Sequence, residues 1–279
     1  MRLGQIVSLL ILLLYTALAL APLYLMVVSS LIPLGSTFDM SDLKLVPTHP
    51  SLHNLIKFNA RVGGCLPRWF FNSLLVSTVP VGASIFFSAL AGYAMSKLRF
   101  PGRDFLFWAI IATMTIPYFV TLIPVYEMVW RFHWIDTYAA LLVPGMAGIG
   151  GVFLSRQFMQ TLSTSLLEAA EIDGCSEFKT FLHIVLPLCR PLLALLAILG
   201  FVGAWGEFFW PYLVTNSRSL YTVQMGIVSL IGVDRNFSGD LDFGEVMAAS
   251  LAASLPVFIV FLAAQKHFVK GLTIGAIKG

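Results

Sequence analysis

The chain is written as long apolar runs separated by short polar ones. No Asp, Glu, Lys or Arg occurs from Leu3 to Phe38, and further uncharged runs cover Trp69–Ser96, Phe105–Tyr126, Thr137–Ser155 and Val246–Gln265. Pro191–Ser217 carries a single charge, Glu207. At about 1.5 Å per helical residue, each run reaches across roughly 30 Å of hydrocarbon. A helix packed in a soluble core alternates apolar and polar faces, and these runs do not. The pattern predicts an all-α membrane protein with six transmembrane helices, near 6–31, 70–95, 105–129, 137–157, 188–213 and 246–265. The stretch "ALALA" at 17–21 resembles a signal-peptide cleavage site, but the apolar run continues to Leu31, which favours an uncleaved first span. No segment between the spans is large enough to fold alone, so 1–279 reads as one membrane domain.

Charge then orients the spans. With the N-terminus inside, the cytoplasmic loops hold Arg2, Lys97, Arg99, Arg103, Arg156, Lys179, Arg190, Lys266, Lys270 and Lys278, and the outer loops hold the remaining seven Lys and Arg. The tight loop "KLRFPGR" (97–103) is the decisive one, because the positive-inside rule acts most strongly in short loops. Both termini are expected in the cytoplasm. Residues 32–69 and 214–245 form outer segments, the first punctuated by Pro33, Pro47, Pro50 and Pro67 and the second carrying Asp234, Arg235, Asp240 and Asp242. A net charge of +3 is too weak and diffuse for nucleic acid. Three cysteines, Cys65, Cys175 and Cys189, form neither a CxxC pair nor an even framework, and no metal site is expected. In the fourth span, "PGMAGIGG" (144–151) reads as a seam of small residues where backbones approach closely, or as a helix break beside a translocation path.

Catalytic chemistry is missing. There is no HExxH, no GxSxG and no Ser-His-Asp set, and the five histidines are scattered in loops and at helix ends. Gly174, Lys179 and Thr180 echo a phosphate-binding loop, but Phe178 stands where that motif needs glycine. Only Glu127 and Glu207 approach the membrane interior as ionisable groups, which disfavours a stand-alone channel or an ion-coupled transporter. With Trp205 and Trp210, they are the candidates for lining a solute path. The aromatic residues alternatively anchor a span at the interface.

One stretch breaks the oily pattern. "EAAEIDGCSEFKTFLHIVLP" (168–187) holds Glu168, Glu171, Asp173 and Glu177, four of the chain's 14 acidic side chains, with Lys179 and His183. Ser165 and Glu168 have capping-box spacing, so a short helix is expected to start there. Asp173-Gly174 turns the chain, glycine being free to take positive φ. A second helix follows, with Phe178, Phe181, Leu182 and Val185 on an apolar side, and Leu186-Pro187 leads into the fifth span. An amphipathic helix resting on lipid is normally rich in Lys and Arg. This one is acidic and fits a soluble protein partner instead.

The stretch carries a resemblance. "EAA" at 168–170, three residues, Gly174, nine residues, Ile184, one residue and Leu186-Pro187 resemble the signature loop of permease subunits of ABC importers. Asn72-Ser73, "AGYAMSKLRFPGR" (91–103), "WGEFFWP" (205–211) and "QKHFVKGLTIGAIKG" (265–279) are similar to the carbohydrate-uptake branch, especially the smaller permease of maltose-type systems. Gly206 and Ser163 depart from that family, which often has Asn and Pro there. The resemblance implies a non-catalytic subunit of type I importer architecture in a prokaryotic inner membrane. It implies a second, different permease, two copies of an ATPase that bind ATP and Mg, and an extracytoplasmic solute-binding protein or lipoprotein. No cofactor is expected in this chain itself. Glu168, Ala169, Ala170, Asp173, Gly174, Cys175 and Ser176 would dock the ATPase, with Ile184, Leu186 and Pro187 holding the loop. The cargo would be a sugar or sugar-like solute moved by alternating access, or alternatively glycerol phosphate, a phosphodiester or a polyol.

Overall fold

The computed structural model describes residues 3–32, 46–47, 49–230 and 242–276, and among them there are helices and no strands. The expected outer-segment charges Asp234, Arg235 and Asp240 lie outside the described residues. Four helices are long and apolar enough to cross a membrane by themselves: Gly4–Leu31, Leu66–Lys97, Tyr138–Gln160 and Phe243–Ala264. Two bent pairs complete six spans, Arg103–Thr113 with Tyr118–Arg131 at 99° and Glu177–Leu188 with Arg190–Gly206 at 77°. In chain order the helices are α1 (Leu3–Leu31), α2 (His53–Arg61), α3 (Leu66–Lys97), α4 (Arg103–Thr113), α5 (Tyr118–Arg131), α6 (Tyr138–Leu142) and α7 (Ile149–Gln160). There follow α8 (Thr164–Ile172), α9 (Glu177–Thr180), α10 (Leu186–Leu188), α11 (Arg190–Gly206), α12 (Phe209–Val214), α13 (Val223–Val228) and α14 (Phe243–Ala276).

Two expected spans are therefore not continuous. The run 105–129 breaks at 114–117 because Pro117 drives the residue before it away from helical geometry. The chain tightens there, with Met114, Thr115 and Ile116 donating to carbonyls three residues back, and Pro117 takes an extended ψ of 141°. The run 188–213 ends its first helix at Gly206, Glu207 is extended (ψ 123°), and α12 restarts at Phe209. The fourth span is also interrupted: Pro144–Met146 is a 3-10 turn, and Ala147 is extended.

The chain divides into two compact units. One comprises residues 1–70 and 223–256, the other 71–222 and 257–279. In the first, Phe58 meets Trp69 edge-on at 6.5 Å, both fully buried. The Asn54 amide donates to the carbonyls of Ser29, Ser30 and Ile32. Lys57 and Arg61 on α2 hold Asp242 and Glu245 at the start of α14.

In the second unit, "PGMAGIGG" is both a break and a seam. Ser84, Ser88 and Gly92 recur every four residues along one face of α3, opposite Gly148, Gly151 and Ser155. A Cβ added at Gly151 would lie 2.5 Å from Ser88 Oγ, and one at Gly92 would lie 2.4 Å from Ser155 Cβ. The Ser88 hydroxyl donates to the carbonyl of Gly148 (2.8 Å), the residue that caps α7. Asn72 lies inside α3. It is fully buried, accepts from the Tyr138 hydroxyl (2.8 Å) and donates to the carbonyls of Ser219 and Tyr221.

Asp136 closes the turn after α5 in left-handed geometry (φ 60°). Its carboxylate accepts from the backbone N–H of Asn216 and Ser217, each at 2.8 Å, and from the Ser217 hydroxyl. Burial pushes this carboxyl up, but the Ser217 and Asn216 donors outweigh it and hold it below its ordinary value. A group whose folded-state pKa is depressed stabilises the fold above its unfolded value and loses that contribution as pH falls. Asp136→Asn should therefore melt a few degrees below the wild type at pH 7. The gap should close as the pH falls below the ordinary carboxylate range. A gap independent of pH in a melting series would count against this assignment.

Candidate functional site: the α8–α9 loop and the break at Glu207

The loop after α7 starts two residues earlier than its capping box suggests. Ser163, not Ser165, is the N-cap: its backbone is extended and its hydroxyl accepts from Ser165 N–H (3.3 Å). Lys97 at the end of α3 takes the Leu162 carbonyl (2.6 Å), so the chain turns into α8 immediately afterwards. At the other end of α8, Gly174 has φ 78°. Its N–H donates to Glu171 (3.0 Å) and Cys175 N–H donates to Ala170 (2.9 Å). This double bond pattern is a Schellman ending, which satisfies the last carbonyls and needs a residue tolerant of positive φ. Among the described residues no atom beyond the chain neighbours lies within 4 Å of a Cβ added at Gly174, so conformation alone demands glycine there.

Below this turn the loop is fused to the membrane helices. Glu177 accepts from the Tyr93 hydroxyl of α3 at 2.7 Å. Phe181 is fully buried against Tyr93 (5.5 Å) and Phe86 (6.1 Å). Val185, Cys189, Met159 and Ala89 share that core, with Leu167, Leu182 and Leu186 packed on it. Phe181–Val185 form a π turn in which Leu186 N–H donates to the Phe181 carbonyl. Such a turn suits a chain about to meet Pro187, which has no N–H to give. Ile184 and Leu186 are half-buried and Pro187 is exposed.

Above the turn, Glu168, Ala169, Asp173, Gly174, Cys175 and Ser176 are exposed, as expected of a surface for another protein. Ala170 differs. It is 4% exposed, turned inward against its own chain, and offers no docking surface. Phe178 differs in the opposite sense, because it leaves the apolar side and is half-exposed beside Phe181. Ile172 is 86% exposed, the most open large apolar side chain on the loop. It went unremarked in the sequence, where it reads as a helix-interior residue. Tyr93 and Lys97 were also missed as anchors. Their signal was present: they lie four residues apart, on one face of α3 at the end of an apolar run.

The other candidates separate. Glu127 pairs with Arg131 one turn on (2.6 Å), both exposed. Trp205 is 3% exposed and stacked on Phe201 at 5.6 Å, so it presents no open ring face to a solute. Glu207 and Trp210 are brought together. Glu207 Oε1 accepts from the backbone N–H of Phe209 (2.7 Å) and Trp210 (3.2 Å), capping α12 across the break. Trp210 Nε1 donates to the Ala140 carbonyl (2.9 Å). The carboxylate thus supports α12 through its side chain.

An acidic helix-turn-helix locked to a bundle of broken spans is a transporter arrangement, and residues 84–274 match the family described as binding-protein-dependent transport system inner membrane component. The chain belongs to that family. This permease is 32% identical over 260 residues to the arabinooligosaccharides transport system permease protein AraQ of Bacillus subtilis (strain 168), covering 92% of this chain and 90% of AraQ. It is 34% identical over 260 residues to the sn-glycerol-3-phosphate transport system permease protein UgpE of Salmonella typhimurium, covering 92% and 91%. In fold it resembles a chain of a bacterial ABC transporter involved in the import of the acidic polysaccharide alginate. The TM-score is 0.83 at 21% identity, over 96% of this chain and 97% of that one. The all-α, six-span expectation and the family resemblance of the loop are both met by these findings.

Proposed function

We propose that this permease is the membrane subunit of an ATP-driven importer that passes a sugar or oligosaccharide into the cytoplasm by alternating access. The observation that carries the reading is the α8–α9 loop. It is exposed and acidic above, with Ile172 and Phe178 open to a partner, and it is pinned below to α3 through Tyr93–Glu177 and Lys97–Leu162. A push on α8 is therefore delivered directly to a transmembrane helix. The partner that pushes is an ATPase pair, which binds ATP and Mg and performs the hydrolysis. This chain contributes no catalytic group. A second, different permease completes the passage, and a binding protein or lipoprotein delivers solute from outside. The loop faces the cytoplasm, as do both termini, in keeping with the Lys97, Arg99 and Arg103 cluster.

The sugar assignment follows the relationship to AraQ. The relationship to UgpE supports a second reading, glycerol phosphate, in the same architecture. Proteoliposomes carrying the assembled transporter and its binding protein separate them. ATP-dependent accumulation of labelled arabinotriose or maltotriose, not displaced by excess glycerol 3-phosphate, is the expected result. Uptake that is equal with and without ATP would refute the importer. Displacement by glycerol 3-phosphate would favour the second reading.

A further inference from the structure

Glu207 is the one charge between Pro191 and Ser217, and the structure leaves half of its carboxylate unused. Oε1 caps α12, while Oε2 has no protein donor among the described residues, and the side chain is only half-buried. Counted along α11 from Arg190, the break lies about 25 Å up the helix, inside a hydrocarbon layer of roughly 30 Å. A charged side chain within the hydrocarbon is costly against lipid, most of all at the helix centre, and is instead directed to protein or water. Irregular backbone at membrane depth is tolerated only inside protein or beside water.

The surroundings are lined by aromatic rings. The α4–α5 break meets the α11–α12 break here. Phe119, the second residue of α5, contacts Phe209, the first of α12, with ring centroids 6.0 Å apart. Tyr118 is half-exposed and within electrostatic reach of the Glu207 carboxylate. Phe208 is also open (39%). Aromatic faces beside a carboxylate with a free oxygen are suited to the C–H faces and hydroxyls of a carbohydrate. The same negative charge opposes a phosphate or a uronic acid.

We propose that Glu207, with Tyr118 and Phe208, lines a water-filled stretch of the solute passage in this chain and selects neutral, hydroxyl-rich solutes over anionic ones. The proposal rests on the importer reading for its cargo, but its test reads the passage itself, whatever is carried. In the assembled transporter, Cys65, Cys175 and Cys189 are replaced by alanine and Tyr118→Cys is introduced. The thiol should react with both a trimethylammonium-ethyl and a sulfonatoethyl methanethiosulfonate, because it faces water. The ratio of cationic to anionic reaction rates should fall about tenfold when Glu207→Gln is added, as expected for removing one charge within electrostatic reach. Gln retains an amide oxygen for the Phe209 and Trp210 N–H groups, so the cap survives. The reactivity of Tyr118→Cys needs no change at Glu207. In uptake competition, Glu207→Gln should make glycerol 3-phosphate a relatively better inhibitor against the neutral trisaccharide. An unreactive Tyr118→Cys thiol, or a rate ratio unchanged by Glu207→Gln, would overturn the proposal and leave Glu207 as a helix cap alone. If neither trisaccharide is carried while the rate ratio shifts as expected, the cargo assignment fails and the passage stands.

Discussion

Membranes carrying Gly174→Val should contain normal amounts of the permease and yet retain at most a tenth of its uptake and of its bound ATPase. Valine at φ 78° is strained by roughly 1–2 kcal/mol or more, its branched Cβ making the left-handed region worse than for alanine. The chain can relieve that strain only by abandoning the Cys175–Ala170 and Gly174–Glu171 bonds that end α8. Each 1.4 kcal/mol spent on restoring the docked shape costs about a factor of ten in affinity. Among the described residues no atom beyond the chain neighbours lies within 4 Å of a Cβ at position 174, so the fold itself is spared. Two companions sharpen the test. Gly174→Asn, which tolerates left-handed geometry, should recover most of the activity. Glu168 is exposed and its side chain makes no hydrogen bond or ion pair among the described residues, so Glu168→Lys should uncouple by charge reversal alone. Co-purification of the ATPase together with uptake measures all three. Normal values for both in the valine variant would mean the loop is not the coupling element.

The legible parts of this protein are those whose information is local. An uncharged run needs only its own length to announce a span, and Gly174 needs only its own φ to announce a turn. The α8–α9 loop was readable for the same reason, since its charges, its small residues and its turn lie within twenty consecutive positions. What escaped were partnerships across the sequence. Glu177 is a plain surface acid until Tyr93, far upstream, is placed 2.7 Å away. Trp205 resembles a sugar platform until Phe201 covers it. The helix breaks sit between these cases. The break at Pro144 stood as one of two readings of "PGMAGIGG", whereas hydrophobicity ran straight through Pro117, because a broken span and an intact one have the same composition. Glu245 escaped through a boundary effect. It stands one residue before the last uncharged run, where it reads as an ordinary interfacial acid.

That residue carries the second large effect. Glu245 is completely buried at the start of α14, and both of its oxygens are engaged. Arg61 grips it as a fork, Nε to Oε2 at 2.7 Å and Nη2 to Oε1 at 2.9 Å, and Lys57 reaches Oε1 at 3.0 Å while also holding Asp242. The hydrogen bond to Glu245, foremost, and that to Asp242 push the Lys57 ammonium upward, and Arg61 is raised likewise by its bond to Glu245. A buried charge that loses its fork becomes a liability rather than a missing bonus. Arg61→Met should therefore destabilise the protein by about 3–5 kcal/mol, the usual cost of stranding one partner of a buried pair. Lys57 cannot substitute, because its side chain is 43% exposed and already divided between two carboxylates. The combined Arg61→Met, Glu245→Met variant should recover most of the loss, since two well-packed apolar side chains replace a buried ion pair at little cost. Unfolding in detergent, followed by tryptophan fluorescence through the buried Trp69, measures each variant and the coupling between them. A single Arg61→Met loss below about 1 kcal/mol would place the pair among exposed surface bridges, whose contribution is of that size, and would mean that Glu245 finds water or another donor in the membrane.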